Sequence, residues 1–174
     1  MFKSTFTTIR HQLVTNAPKV LAFPSALLPF FVQKKMLADL LGKVFSDAIE
    51  EGDLVFLQDK WLKIEITDLK LTWFLSYASD KLIIEEQCEH SDVTFSAAVN
   101  ELILIAGRKE DPDTLFFQRR LSIQGDTELG LEIKNLIDNI DFDTLPASIT
   151  KLIEHFSTFI QQGLIQPENN IVTA

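Results

Sequence analysis

The sequence predicts an α+β domain in which helices cover a mainly antiparallel sheet. Apolar residues recur at helical spacing over residues 36–49, alternate with polar residues over 62–84, and return to helical spacing over 129–140. Helices thus flank a run of successive strands. This order of elements is typical of an antiparallel sheet with helices packed on it.

The start of the chain has the pattern of an amphipathic helix. Phe2, Phe6, Ile9 and Leu13 recur at spacings of four, three and four, with polar residues between them. Two interpretations stay open at this point. The helix either packs on the core, or it dips its apolar face into a bilayer while its basic charge meets anionic headgroups.

Residues 1–36 differ in charge from the rest of the chain. They contain five basic residues and no acidic one, so the remainder of this −9 chain carries −14. Prolines divide residues 18–29 into short pieces, and we interpret the apolar patch there as a movable lid. The predicted membrane-docking residues are Phe2, Phe6, Ile9, Arg10, Leu13, Phe30, Phe31, Lys34 and Lys35.

A core helix and a set of strands are predicted next. The helix begins at Pro29 and ends at Gly52. Residues 54–57, a turn at 58–60 and the alternation over 62–66 predict a hairpin. Further strands are expected over 69–77, at Leu82 and Ile84, and over 93–97.

The second half of the chain is predicted to be mostly helical. Residues 98–106 are apolar nearly all round, which predicts a helix enclosed by other elements. Asp111 and Pro112 suit the start of a short helix, and Leu121 and Ile123 then lie on one face of a strand. Gly125 allows a corner into a helix capped by residues 126–128, with an apolar stripe of Leu129, Ile133, Leu136, Ile137 and Ile140.

A last helix and a tail complete the chain. Asp143 or Thr144 precedes the helix, Pro146 lies near its start and Gly163 ends it. Residues 164–174 have the composition of a loose tail. The predicted apolar face of the helix consists of Ile149, Leu152, Phe156, Phe159 and Ile160.

Length, charge and cysteine content narrow the class of protein. A chain of 174 residues predicts one domain, and a formal net charge of −9 argues against nucleic acid as the main partner. The single cysteine, Cys88, excludes an internal disulfide framework and favours a cytoplasmic protein. The longest apolar run, residues 20–32, is shorter than the ~20 residues that span a bilayer.

No motif for catalysis or cofactor binding is evident. Cys88 and His90 supply at most two ligands, whereas a closed zinc site needs four. The aspartates at 138, 141 and 143 lack the glycine and the terminal glutamate of an EF-hand loop, and there is no glycine-rich phosphate motif. We therefore predict neither a metal nor a cofactor.

Basic residues cluster at one place in the otherwise acidic body. Arg108, Lys109, Arg119 and Arg120 are either solvent-facing charges near loops or a site for an anionic headgroup at a pocket mouth. The planar arginine fork is well suited to the second role. The predicted headgroup residues are Arg108, Arg119 and Arg120.

Several segments resemble the sterol carrier protein type 2 lipid-binding family. They are Asp92-Val93-Thr94-Phe95, the apolar helix that follows, residues 111–118 and residues 121–126, and the resemblance covers 54–139. It implies a five-stranded sheet whose helices enclose a hydrophobic tunnel that holds lipid. Many sterol carriers have Gly-Lys where this chain has Arg119-Arg120, so their headgroup preference is not carried over.

The tunnel wall implied by this resemblance consists of apolar residues from the strands and from the helices. The predicted lipid-binding residues are Trp73, Leu75, Leu82, Ile84, Val93, Phe95, Leu102, Ile105, Phe116, Phe117, Leu121, Ile123, Leu129 and Ile133. Three segments follow: a docking or lid segment (1–36), a lipid-binding domain (37–163) and the tail (164–174).

Over nearly its whole length the chain also resembles a bacterial family of ubiquinone-biosynthesis accessory factors. This implies a non-catalytic role in oxygen-independent ubiquinone synthesis, with isoprenoid quinone precursors or phospholipid as ligands and the hydroxylases UbiU and UbiV as partners. We expect a cytoplasmic protein bound peripherally to an anionic membrane surface. One alternative is a scaffold that gathers biosynthetic enzymes and fills its pocket with its own side chains; a disfavoured one is an enzyme acting on a lipid ester or thioester.

Overall fold

A computed structural model describes residues 12, 14, 29–140 and 147–164 of the chain. Five strands form one sheet: β1 (Leu62–Ile66), β2 (Leu71–Ala78), β3 (Lys81–Glu85), β4 (Val93–Ala97) and β5 (Leu121–Gly125). Their order is β3-β2-β1-β4-β5. Every neighbouring pair is antiparallel except β1 and β4, which are parallel. The predicted α+β class with a mainly antiparallel five-stranded sheet is confirmed.

Six α-helices accompany the sheet in the described part of the chain. They are α1 (Phe30–Val44), α2 (Ser46–Glu51), α3 (Val99–Ala106), α4 (Pro112–Phe117), α5 (Thr127–Asp138) and α6 (Ala147–Leu164). The predicted helix from Pro29 to Gly52 is therefore interrupted once, at Phe45. Gly52 ends α2 in the left-handed conformation, with φ of 80°.

One face of the sheet is apolar because the strand registers bring alternate apolar residues side by side. Leu62 pairs with Leu75 and with Val93, and all three are buried. The opposite face carries polar side chains, among them Lys63 and Glu65. The core therefore lies on one side of the sheet, with helices packed over it.

The corner between β5 and α5 has the predicted geometry. Gly125 has φ of 111°, which only glycine adopts without strain, and a Cβ there would overlap the carbonyl oxygen of Asp92. The Asp126 carboxylate then accepts hydrogen bonds from the backbone N–H groups of Glu128 and Leu129 at 2.9 and 3.1 Å. These contacts fix the start of α5 against the edge of the sheet.

The predicted strand at residues 54–57 is wrong. Residues Val55–Leu57 form a 3₁₀-helix, and Gln58 makes a single bridge to Tyr77. Leu54 and Leu57 are both buried, and residues three apart share a face in a 3₁₀ turn but not in a strand. The hairpin therefore consists of β1 and β2 rather than residues 54–57 and β1.

The predicted apolar face of the last helix is also wrong in part. Leu152 and Phe156 are 57% and 47% exposed, whereas Ser157 and Ile160 are buried. The cause is a close contact between α6 and the end of α3. A Cβ at Gly107, which follows α3, would overlap Ser157, so the side of α6 that carries Ser157 packs against α3. Of α3 itself only Leu104 is fully buried, so this helix is less enclosed than predicted.

A second small cluster joins the ends of the chain to α3. Val14 and Ile160 pack with Leu104, and the Asn100 side chain donates to the Val14 carbonyl at 3.2 Å. The docking residues predicted at Phe2, Phe6, Ile9, Arg10 and Leu13 lie outside the described residues, as do Asp143, Thr144, Pro146 and the tail from 165.

Candidate functional site

A row of apolar side chains crosses the middle of the sheet and is only partly covered. The middle row consists of Trp73, Ile64, Phe95 and Ile123, which are register partners on β2, β1, β4 and β5. Phe95 is buried, but the other three are half-buried. The rows on either side are buried at their centres, at Leu62 and Val93 and at Ile66 and Ala97. The apolar face therefore has a partly open stripe between two packed stripes.

Helical side chains that pack against the same core are also half-buried. They come from three helices: Phe30, Leu37 and Leu41 of α1, Leu102 and Ile105 of α3, and Leu136 and Ile137 of α5. A site bordered by apolar side chains from strands and helices, with few polar groups, is typical of lipid-binding pockets.

The predicted lipid-binding residues fall into three groups by burial. Seven are fully buried in the main core: Leu75, Ile84, Val93, Phe95, Leu121, Leu129 and Ile133. Five are half-buried against it: Trp73, Leu82, Leu102, Ile105 and Ile123. Phe116 and Phe117 are exposed at the surface.

Ile64 is not among the predicted lipid-binding residues, although it lies at the centre of the middle row. The alternation over 62–66 placed Ile64 on the apolar face. Alternation shows on which face of a sheet a residue lies, but not how far other side chains bury it. The useful signal is its cross-strand pairing with Trp73 and Phe95, which only the register supplies.

Two polar contacts hold α1 on the sheet. The Trp73 indole N–H donates to Gln33 Oε1 at 3.1 Å, and Lys34 Nζ lies 3.0 Å from Glu85 Oε1. No residue of α1 is fully buried, and Phe31 is 72% exposed. Of the predicted docking residues in this helix, Phe30 packs on the core and Lys34 is paired, while Phe31 and Lys35 face solvent.

The three predicted headgroup arginines have different surroundings. Arg120 is paired with Glu101 at 2.5 Å and with Glu110 at 3.5 Å. Burial alone would lower the pKa of Arg120, but these two carboxylates raise it above its ordinary value. Arg108 donates to the carbonyl of Ile140 at 2.6 Å. Arg119 borders a surface pocket of about 530 Å³ together with Phe116, Phe117, Leu121 and Ser122. The structure thus does not bring the three guanidinium groups together on one ligand.

The polar face of the sheet is organised by ion pairs and hydrogen bonds. Lys63 pairs with Glu65 at 2.5 Å, and Ser96 donates to Glu65 at 2.8 Å. The lysine, and then the serine, lower the pKa of Glu65 from its usual 4.5. The middle of this face therefore carries a hydrogen-bonded ion pair, whereas the middle of the apolar face carries the partly open stripe.

The described residues contain neither a metal-binding cluster nor a membrane-spanning helix. Residues 12, 14, 29–140 and 147–164 contain no group of three His, Cys, Asp or Glu side chains arranged to hold a metal ion. Within the same ranges, no helix has both the length and the hydropathy needed to cross a membrane.

Comparisons with known proteins agree with this fold. Residues 37–138 match the model of the SCP-2 sterol transfer family. The chain is 40% identical to the ubiquinone biosynthesis accessory factor UbiT of Escherichia coli K12 over 156 residues, which are 90% of this chain and 89% of that one. The same values hold for UbiT of Escherichia coli O157:H7.

A solved structure has a similar fold. It is described as the UbiJ-SCP2 ubiquinone synthesis protein, and it superposes with a TM-score of 0.53 and 18% identity, covering 63% of this chain and 97% of that one. At this identity the likeness concerns the fold alone. Both family resemblances predicted from the sequence are confirmed by these matches.

Proposed function

The chain belongs to the SCP-2 sterol transfer family and to the UbiT accessory factors of ubiquinone biosynthesis, and on this premise we propose that it is a non-catalytic lipid carrier. Its ligand is the isoprenoid tail of a quinone precursor, or a phospholipid, held across the apolar face of the sheet. The carrier presents the head of this ligand to hydroxylases.

The observation that carries this proposal is the partly open middle row. From Trp73 on β2 to Ile123 on β5 the row crosses three strand spacings, or about 14 Å. A continuous apolar stripe of this length suits one extended hydrocarbon chain. The residues that contact the chain would be Trp73, Ile64 and Ile123, with Leu102 and Ile105 on α3 and Leu37 and Leu41 on α1.

Tail burial alone does not give selectivity. Burying one CH₂ contributes about 0.8 kcal/mol relative to water, but a tail that leaves a bilayer exchanges one apolar surrounding for another. Selectivity therefore depends on fit and on polar contacts at the head. Arg108 and Arg119 are the candidates for that contact, because Arg120 is committed to Glu101 and Glu110.

Entry of a long tail requires a part of the cover to move, and we assign this role to α1. The helix has no fully buried residue, and its polar contacts to the sheet run through Lys34 and Gln33. The proposed lid, which we predicted within residues 1–36, then extends to Val44, where α1 ends. The exposed Phe31 and Lys35, with the basic segment before them, would touch an anionic membrane from the cytoplasmic side.

Lipid extraction tests the proposal. We expect mass spectrometry of organic extracts from the purified full chain to find prenylated quinone precursors or phospholipid. The substitutions Ile64→Phe and Ile123→Phe should reduce the bound lipid severalfold by filling the stripe. The matched control is Ile83→Phe, a half-buried strand residue of the opposite face, which should leave lipid content unchanged. Protein that is empty and takes up no lipid from vesicles would rule out the carrier.

A scaffold is the second candidate, because half of the predicted lipid-binding residues are already packed against one another in the core. In a scaffold, UbiU and UbiV would bind to the outer surface. Retention of both hydroxylases by the Ile64→Phe and Ile123→Phe variants, together with undiminished ubiquinone synthesis without oxygen, would favour the scaffold. Loss of synthesis with retained hydroxylases would favour the carrier.

A further inference from the structure

Helix α4 ends in two aromatic side chains that the core does not use. Pro112 and Leu115 are buried and fasten the helix, whereas Phe116 and Phe117 are 42% and 81% exposed. Successive side chains of an α-helix point about 100° apart, so a helix that buries Leu115 turns Phe117 away from the core. The two rings contact each other edge to face, with centroids 5.8 Å apart.

Arg119 stands beside these rings with its charge uncompensated. Its backbone has φ of 61°, and its N–H donates to the Phe116 carbonyl at 3.0 Å, which holds it at the end of the helix. Within the described part of the chain, its guanidinium forms neither a hydrogen bond nor an ion pair. Phe116, Phe117 and Arg119, which we call the aromatic tip, border the same surface pocket.

Three other charged side chains in or next to α4 are engaged within the fold. Arg120 pairs with Glu101 and Glu110, and Asp113 pairs with Lys134 at 2.7 Å. Asp111 caps the far end of the helix by accepting from the N–H of Thr114 at 2.9 Å. The guanidinium of Arg119, beside the two rings, is by contrast available to a ligand outside the fold.

We propose that the aromatic tip is a membrane-contact site, in which Phe116 and Phe117 enter the acyl boundary and Arg119 binds the phosphate of an anionic lipid. Phenyl rings beside an unpaired arginine suit a lipid surface, because that surface presents hydrocarbon and phosphate within one side-chain length. The tip lies at the β5 edge of the sheet, whereas α1 contacts β3 at the other edge. This site is therefore separate from α1, and it does not depend on a lipid in the sheet.

Tryptophan fluorescence on vesicles tests the position of the tip directly. The full chain with Phe117→Trp is mixed with phosphatidylcholine–phosphatidylglycerol vesicles whose acyl chains carry bromine, which quenches indole on contact. We expect quenching beyond that of the native Trp61 and Trp73, which the unmodified chain reports. The matched control is Phe156→Trp, since Phe156 is also exposed but lies on α6, a helix that contains no arginine. Equal quenching in both variants would overturn the proposal.

Vesicle sedimentation measures how much the tip contributes. The double substitution Phe116→Ser and Phe117→Ser should weaken binding at least about tenfold, because two large apolar side chains no longer leave water. Arg119→Gln should weaken binding to anionic vesicles about fivefold at low salt and have little effect at high salt. Lys70→Gln, the same loss of charge at an exposed turn, is the control.

The outcomes separate the tip from the carrier function. The double variant Phe116→Ser and Phe117→Ser should keep the wild-type content of extracted lipid, because neither residue lies in the middle row. Unchanged vesicle binding by the double variant would refute the tip as a membrane-contact site. This conclusion would hold even if the variant lost a protein partner. Empty wild-type protein that still shows quenching at position 117 would refute the carrier and leave the tip supported.

Discussion

Helices α1 and α5 pack against the same core but are held there in different ways. In α5, Leu129, Gly130 and Ile133 are buried, and Asp126 caps the start. In α1 no residue is buried, and Pro29 at its start offers no side-chain cap. The difference indicates that α5 is a fixed wall of the site, whereas displacement of α1 disrupts few buried contacts. A carrier needs both, because the ligand must be shaped by one side and admitted at another.

The largest effect that would sharpen this comparison comes from truncating one core-facing leucine in each helix. Leu129→Ala should lower the free energy of unfolding by about 3 to 4 kcal/mol, since it leaves a cavity in α5. Leu37→Ala in half-buried α1 should lower it by about 1 kcal/mol. Urea denaturation followed by circular dichroism measures both. Equal losses would break the distinction between wall and cover.

Two glycine substitutions should give the next largest changes in stability, and these changes should have opposite signs. Gly125→Ala should cost about 2 to 3 kcal/mol, because its φ of 111° and the Asp92 carbonyl both reject a Cβ. Gly42→Ala in α1 should stabilise the protein by about 0.5 to 1 kcal/mol, because a Cβ there meets nothing within 4 Å and alanine favours the helix. Thermal unfolding of the two variants is the measurement. Destabilisation by Gly42→Ala would show that α1 is constrained in a way its contacts do not indicate.

The cap of α5 predicts a smaller, pH-dependent effect. The N–H of Leu129 first, and then the charge of Lys60, lower the pKa of Asp126 from its usual 3.8. A depressed folded-state pKa means that the stabilisation is present above pH 3.8 and is lost as the pH falls through the lower, folded-state pKa. Asp126→Ala should therefore lower stability at pH 7, less than Gly125→Ala does, and should approach wild type in acid. A difference that stays constant down to pH 2.5 would contradict this account.

The smallest expected change in stability concerns the ion pair that holds α1. Lys34→Gln should change the free energy of unfolding by at most about 0.5 kcal/mol, because both partners are more than 40% exposed. Hydrogen exchange should nevertheless accelerate in α1 and not in α5. Lys43→Gln, an exposed lysine near the end of the same helix, is the matched control. Equal rates of hydrogen exchange in the two variants would contradict the role of Lys34 in holding α1 on the sheet.

Much of the fold followed from local chemistry that the sequence displays. Asp111, Asp126 and Gly125 occupy caps and a corner whose side-chain requirements few residues satisfy, and each was predicted in place. The strand at 54–57 failed because a four-residue apolar run does not distinguish a strand from a 3₁₀ turn. The predicted apolar face of α6 was wrong in part because the contact between Gly107 and Ser157 determines which side of the helix is buried. Periodicity identifies apolar residues, but it does not identify close contacts between helices.

The candidate site was predicted less completely than the fold. Twelve of the fourteen predicted lipid-binding residues lie in or against the main core, but Ile64 was left out, and Phe116 and Phe117 are exposed at the surface. The arginines were predicted as one group because of their positions in the sequence. In the structure Arg120 pairs with Glu101 and Glu110, and Arg119 takes no part in these ion pairs. Which arginine finds a partner depends on residues that lie 19 positions away for Arg120 and 32 positions away for Arg108.

The sequence by itself determined the class of fold, the order of the elements and the family, because periodicity, caps and turn residues act over a few positions. Only the tertiary structure decided which apolar residues are packed and which are partly open. The middle row results from the register of four strands. The weak attachment of α1 results from its packing, in which no residue of the helix is fully buried. Burial is a property of neighbours in space, so it becomes visible only when those neighbours are in place.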